Sequence, residues 1–131
     1  CVCLNHTMNA AGLCLFGYLS TNMSFVPEFI SAVWGEPFSL EDMLYTGERI
    51  AAVRQAFNVR HGINPLHYSL PGRAYGRPPL EDGPTAGITV HVEAMRREYL
   101  AAMGWHPETA TPERATLERL GLADIAADLW G

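Results

Sequence analysis

Apolar residues recur along this chain at the three- and four-residue spacing of helices, and almost nowhere at the alternate spacing of strands. The clearest run predicts a helix from Leu40 to about Arg60, with Ser39 as cap, Asp42 as the acid three residues on and Gly62 as stop. Leu40, Met43, Leu44, Gly47, Ile50, Ala51 and Phe57 form its stripe, broken only by Arg54, while Glu41, Glu48 and Arg49 fall on the other side. A helix of ~20 residues is ~30 Å long, enough to be the backbone of a domain.

Shorter elements flank it. Residues 1–8 read as the end of an element, Gly12 interrupts, and Leu13 to Leu19 is apolar enough for a buried helix or turn. Pro27 suits the first turn of a helix running to Trp34, with Gly35 as its stop. Over 64–88 the chain turns to proline and glycine, among them Pro65, Pro71, Pro78, Pro79 and Pro84, which predicts a long loop. A loop of that length is uncommon in a compact domain and is usually functional or laid over another surface. Helix resumes from Val90 to Met103, with Val92, Met95, Tyr99 and Met103 on one side and Gly104 at the end. Thr111-Pro112-Glu113 opens another helix that Gly121 closes, and Leu122 to Trp130 is a last amphipathic turn or two. Only Ile88 to Val92 admits a strand reading. The expected class is mainly α, an orthogonal multi-helix bundle with one long Pro/Gly-rich loop, 1–131 forming a single helical domain.

Composition changes this picture in a few places. The chain has 131 residues, 48% apolar and 18% charged, a balance slightly poor in charge, which hints at surface meant to be covered. Its net charge of −5 is carried entirely by residues 81–131, so no basic face is offered to nucleic acid. All nine basic residues are arginine, which excludes a Walker-type phosphate loop and a Schiff-base lysine. The longest apolar run, Ala10 to Leu19, is about half the ~20 residues a membrane helix needs. The first 48 residues hold no basic residue, so the positive start of a secretory signal is missing, and a cytoplasmic, non-membrane protein is expected. The opening residue is Cys1 rather than Met, which suggests a piece of a longer chain.

Three cysteines, Cys1, Cys3 and Cys14, stand in the first 14 residues and none follows. With His6 they make four ligands on paper for zinc, although a C-x-C pair fits structural zinc spacing poorly. A cysteine-held iron–sulfur cluster needs about four thiolates, so this chain cannot complete one alone. Cys14 is the more interesting thiol because Gly12 lets the backbone approach a bulky group; a buried free cysteine on an apolar helix is the plain alternative. The serines and histidines show no nucleophile motif and no H-x-x-x-H spacing, so no catalytic residue is nominated.

Several segments, in order, resemble the C-terminal domain of the tungsten-containing aldehyde ferredoxin oxidoreductase family. They are Gly12-Leu13-Cys14-x-Phe16, Gly47-Glu48-Arg49-Ile50, Phe57-Asn58-Val59-Arg60-x-Gly62, Leu70-Pro71, Asp82-Gly83-Pro84-x-x-Gly87, Met95-x-x-Glu98-Tyr99, Gly104-Trp105, Thr111-Pro112-Glu113 and Leu117-x-x-Leu120-Gly121-Leu122. In that family a D-x-x-G-L-C segment supplies the fourth ligand of a [4Fe–4S] cluster beside a metal held by two pterin dithiolenes. The resemblance implies Cys14 as cluster ligand, and Asn9, Gly12 and Leu13 beside the pterin, within a cofactor-facing segment over 1–20. It implies tungsten or molybdenum as the metal, the other three cysteines in upstream domains of the same polypeptide, and ferredoxin or a similar carrier as electron partner. Asn9 stands where the family usually has aspartate, and an amide offers one acceptor and one donor group where a carboxylate accepts twice. Leu15 replaces a residue that is often polar, and 64–68 lacks an acidic pair common there.

The expected activity is therefore oxidation of an aldehyde to a carboxylate by the parent enzyme, with the isolated chain inactive and without cofactor. A related aromatic-thioester reductase subunit and a non-catalytic helical binding module are the alternatives. An exposed apolar face would also permit a homo-oligomer.

Overall fold

A computed structural model describes residues 2–22 and 24–131. Seven α-helices lie among the described residues: α1 (Val2–Ala10), α2 (Leu15–Leu19), α3 (Phe25–Trp34), α4 (Leu40–Arg60), α5 (Val92–Met103), α6 (Arg114–Arg119) and α7 (Ala123–Trp130). The mainly α class is as the periodicity predicts. Ile88 to Val92 is not a strand: α5 already begins at Val92, and Val90 N–H makes a single loop bond of 2.9 Å to the Tyr75 carbonyl.

The central helix α4 begins where its cap residues place it. Ser39 Oγ accepts the Asp42 N–H at 3.1 Å, and the Ser39 N–H donates to Asp42 Oδ2 at 2.8 Å, closing a reciprocal capping box. The Ser39 hydroxyl and N–H both donate to Asp42 and hold its carboxyl below the ordinary range. Ser39→Ala should cost about 1 kcal/mol, read as a lower urea midpoint. A depressed carboxyl pKa stabilises at neutral pH and stops doing so as pH falls through it. The gap between the variant and the parent should therefore narrow in acid.

Two apolar clusters meet α4 from different sides. Ala51 joins Leu100, Met103, Trp105 and Ala110, with Cys3, Leu66 and Tyr99 packed against them. Ala52 joins Leu117, Leu120, Leu122 and Ala126, with Ile125 and Leu129 alongside. Adjacent alanines thus let helices approach closely on both flanks. This alters the expected stripe: Met43, Gly47 and Ala51 are buried, but the buried surface continues through Ala52, Gln55 and Ala56, while Phe57 is left exposed. On α5, Leu100 and Met103 are buried and the predicted Met95 is exposed.

α1 lies against α4 at very short range. Thr7 Oγ1 donates to the Met43 carbonyl at 2.6 Å from a buried position. At the other end of the chain, Arg119 grips Glu48 with both terminal nitrogens, and Arg60 pairs with Asp128 at 2.9 Å. Trp130 Nε1 donates to the Pro112 carbonyl at 3.0 Å, pinning α7 back to the turn before α6.

The long loop is present as predicted and carries two short 3-10 turns, Pro65–His67 and Gly72–Tyr75. None of residues 61–91 is buried. The whole chain exposes 8907 Å². A compact 14.4 kDa monomer would expose roughly 6,800 Å² by the size scaling of folded proteins. An excess of that size is what a structure has when much of its surface is shaped to be covered.

Candidate functional site

The segment 9–19 is built by a helix stop followed at once by a helix start. At the end of α1, Gly12 N–H donates to the Asn9 carbonyl and Leu13 N–H to the Met8 carbonyl, both at 3.1 Å. These two bonds are a Schellman motif, which requires a left-handed residue, and Gly12 has φ of 72°. Gly12 therefore ends the helix, as its interruption of the first element predicts. A Cβ placed on it would meet nothing within 4 Å, so the space in front of it is open.

Cys14 then takes an extended conformation, φ −76° and ψ 127°, as the cap residue of α2. Its thiol is fully exposed, and the backbone N–H groups of Gly17 and Phe16, in that order of strength, lower its pKa. The plain alternative, a buried structural cysteine, does not hold for Cys14. It holds in part for Cys3, which is half-buried against the first core cluster. Burial, then the negative charge of Glu48, pushes the Cys3 thiol up. Near neutral pH iodoacetamide should alkylate Cys14 ahead of Cys3 by an order of magnitude or more, a ratio read by peptide mass spectrometry, because the thiolate is the reactive form.

Of the remaining sequence candidates, Asn9 is exposed on α1 with its amide 3.4 Å from Asn5 Oδ1, a long contact that leaves its polar atoms available. Leu13 is half-buried. It lines an apolar cavity of about 340 Å³ with Ala10, Ala11, Val26, Ile30 and Phe38. The helix that follows Cys14 carries exposed apolar side chains: Phe16 is 79% exposed and Leu19 71%. Leu13 to Leu19 was expected to be buried, and in this chain it is not. None of the five residues of α2 is buried, and only Tyr18 is half-buried.

The zinc set is not assembled. Cys1 lies outside the described residues, His6 stands 3.3 Å from an Arg54 nitrogen, and no three metal-binding side chains gather among the described residues. The feature that sequence reasoning missed is Gly17, whose backbone N–H does most to lower the Cys14 pKa, although the thiol makes no formal cap bond. The three-residue step from a cap residue to the third helical position was the available signal.

A sequence model of the family described as "Aldehyde ferredoxin oxidoreductase, domains 2 & 3" matches residues 3–122. The chain belongs to this family. It is 31% identical over 122 residues to the tungsten-containing aldehyde ferredoxin oxidoreductase of Pyrococcus furiosus, covering 93% of this chain and 20% of that protein. The enzymes of the same name from Thermococcus kodakarensis and Pyrococcus abyssi are 31% and 32% identical over the same shares. The chain thus spans about a fifth of the length of the curated relatives it matches. Within the aldehyde ferredoxin oxidoreductase match fall Asn9, Gly12, Leu13 and Cys14, but not Cys1. No described helix is long and apolar enough to cross a membrane.

Proposed function

We propose that this chain is part of a tungsten- or molybdenum-pterin and [4Fe–4S] oxidoreductase that converts aldehydes to carboxylates, and that Cys14 is the cluster ligand it contributes. The observation that supports this is Cys14 itself: an exposed thiol, favoured as thiolate by two backbone N–H groups, in a family whose curated members are tungsten enzymes. The donor set fits an iron site, because iron–sulfur clusters are held by thiolates and tuned by hydrogen bonds to sulfur. When bound, the metal–pterin and cluster supply two-electron chemistry at the carbonyl carbon and one-electron transfer onward to ferredoxin or a similar carrier.

The residues of this chain then have distinct tasks. Cys14 holds one corner of the cluster, and the N–H groups of Phe16 and Gly17 offset its negative charge. Asn9 presents an amide to the pterin, one acceptor and one donor group. Gly12 and Leu13 bring bare backbone to the same place. Phe16 and Leu19 keep water from the cluster once the upstream domains of the polypeptide cover them. Residues 1–131 act as one helical unit, with 1–20 facing the cofactors and 64–88 laid over the neighbouring domains.

Thiol protection tests the reading. In the intact, anaerobically purified polypeptide, Cys14 should resist alkylation and become reactive only after iron is chelated. Alkylation of Cys14 at full rate in the iron-loaded protein would end it.

A further inference from the structure

We propose that the cleft between α1, α4, α5 and the Pro65–His67 turn binds a small carboxylate with an apolar body. The cleft measures about 330 Å³ and is lined on its polar side by His6, Arg54, Asn58 and Arg96. Arg54 is the residue that breaks the apolar stripe of α4, and it makes no ion pair among the described residues. Arg96 has only Glu93, 3.6 Å away on an exposed side chain of the same helix, which is beyond hydrogen-bond range. Two guanidiniums therefore line one cleft, Arg54 with no ion pair among the described residues and Arg96 with only the long contact to Glu93.

The neighbouring groups fit an incoming anion. His6 stands with Nδ1 3.3 Å from Arg54, and burial followed by the Arg54 charge lowers its pKa, so its ring is neutral and can accept from Arg54. Gln55 is already occupied, its Nε2 donating to the Ala110 carbonyl at 3.0 Å. Trp105, another lining residue, is 8% exposed, and its indole N–H is buried away from solvent rather than open to the cleft.

The other wall decides the class of ligand. Ala51, Leu66, Leu100 and the Tyr99 and Trp105 rings are apolar, and a ring or short hydrocarbon would cover them. A guanidinium matches a planar carboxylate with two parallel bonds, and an apolar body beyond the carboxylate uses the wall that a bare phosphate would leave wet. Nothing about Cys14 or iron enters this site.

Calorimetric titration of the intact polypeptide with benzoate is the test, with benzamide and inorganic phosphate in parallel. Saturable benzoate binding is expected, with benzamide and phosphate each weaker by an order of magnitude or more. Arg54→Gln and Arg96→Gln should each weaken benzoate about tenfold, the loss typical of one charged hydrogen bond. Trp105→Phe, which keeps a ring and removes an N–H buried away from the cleft, should leave benzoate binding unchanged. Absence of benzoate binding at millimolar concentration would overturn the site, as would benzamide or phosphate binding as tightly as benzoate. So would arginine variants that bind benzoate like the parent, the result expected if benzoate entered only the aldehyde site.

Discussion

Gly47→Ala should destabilise this chain by about 3 kcal/mol, although the same change inside an ordinary helix stabilises by ~0.5–1 kcal/mol. The reason is the approach of α1. A Cβ at position 47 would stand 1.9 Å from the Cys3 carbonyl oxygen, 2.4 Å from its carbon and 2.7 Å from its Cα. These are backbone atoms of a helix, not the end of a flexible side chain, so the two helices must separate. Separation would stretch the Thr7 hydroxyl bond to Met43 and loosen Cys3 from the first core cluster. A loss of that size corresponds to roughly 11 °C in melting temperature for a chain of 131 residues. Gly17→Ala is the matched control. Position 17 is also helical, but its added Cβ would meet only the Cys14 Cβ at 4.0 Å, ordinary contact, so any change in stability should be small and favourable. Circular dichroism melts of the two variants separate the readings. If Gly47→Ala melts with or above the parent, α1 does not lie against α4 as described.

Much of the fold was legible because its elements carry local instructions. Ser39 and Asp42 predict their own reciprocal bonds, and Gly35, Gly62 and Gly104 stand where helices must stop. The inner packing was not legible in the same way. The predicted stripe held Gly47 and Ala51 but also put Leu44 and Phe57 inside, whereas the buried surface of α4 continues through the small Ala52 and Ala56. Closeness of approach is a property of the pair of helices, and no single-helix periodicity encodes it. The α2 segment fails for the opposite reason. Phe16 and Leu19 are apolar yet exposed, and a reading that places apolar residues inside has no local signal for that.

The candidate site divides along the same line. Gly12 and Cys14 were visible as residues, and the order of the family segments gave Cys14 a task. The physical state of the thiol was not visible. It depends on where the N–H groups of Phe16 and Gly17 point, and that follows from Cys14 being a cap residue rather than a residue inside a helix. Gly12, chosen for closeness to a cofactor, turns out to be needed for the left-handed stop of α1 whether or not a cofactor is near. Both demands act on one glycine, so its presence alone does not tell them apart.

Cys14→Ala in the intact polypeptide should abolish stable cluster binding, with iron per polypeptide falling by an order of magnitude or more. Loss of outer partners around a metal site commonly costs ~10–100-fold in metal affinity, and removing a ligand itself costs at least as much. The side chain is fully exposed and packs against nothing in this chain, so the fold should survive the substitution with its melting temperature unchanged. That separation makes the experiment decisive, because iron loss and unfolding would otherwise be confused. Cys3→Ala supplies the opposite pattern. Cys3 is half-buried beside Tyr99 and the Ala51–Trp105 cluster, so its removal should lower stability while iron is retained. Visible thiolate-to-iron absorption and iron analysis read the first quantity, and the melt reads the second. A Cys14→Ala protein that keeps full iron would sink the ligand assignment while leaving family membership untouched. Iron loss in both variants with a falling melt would mean that the cluster depends on the packing of α1 rather than on the thiolate at the start of α2.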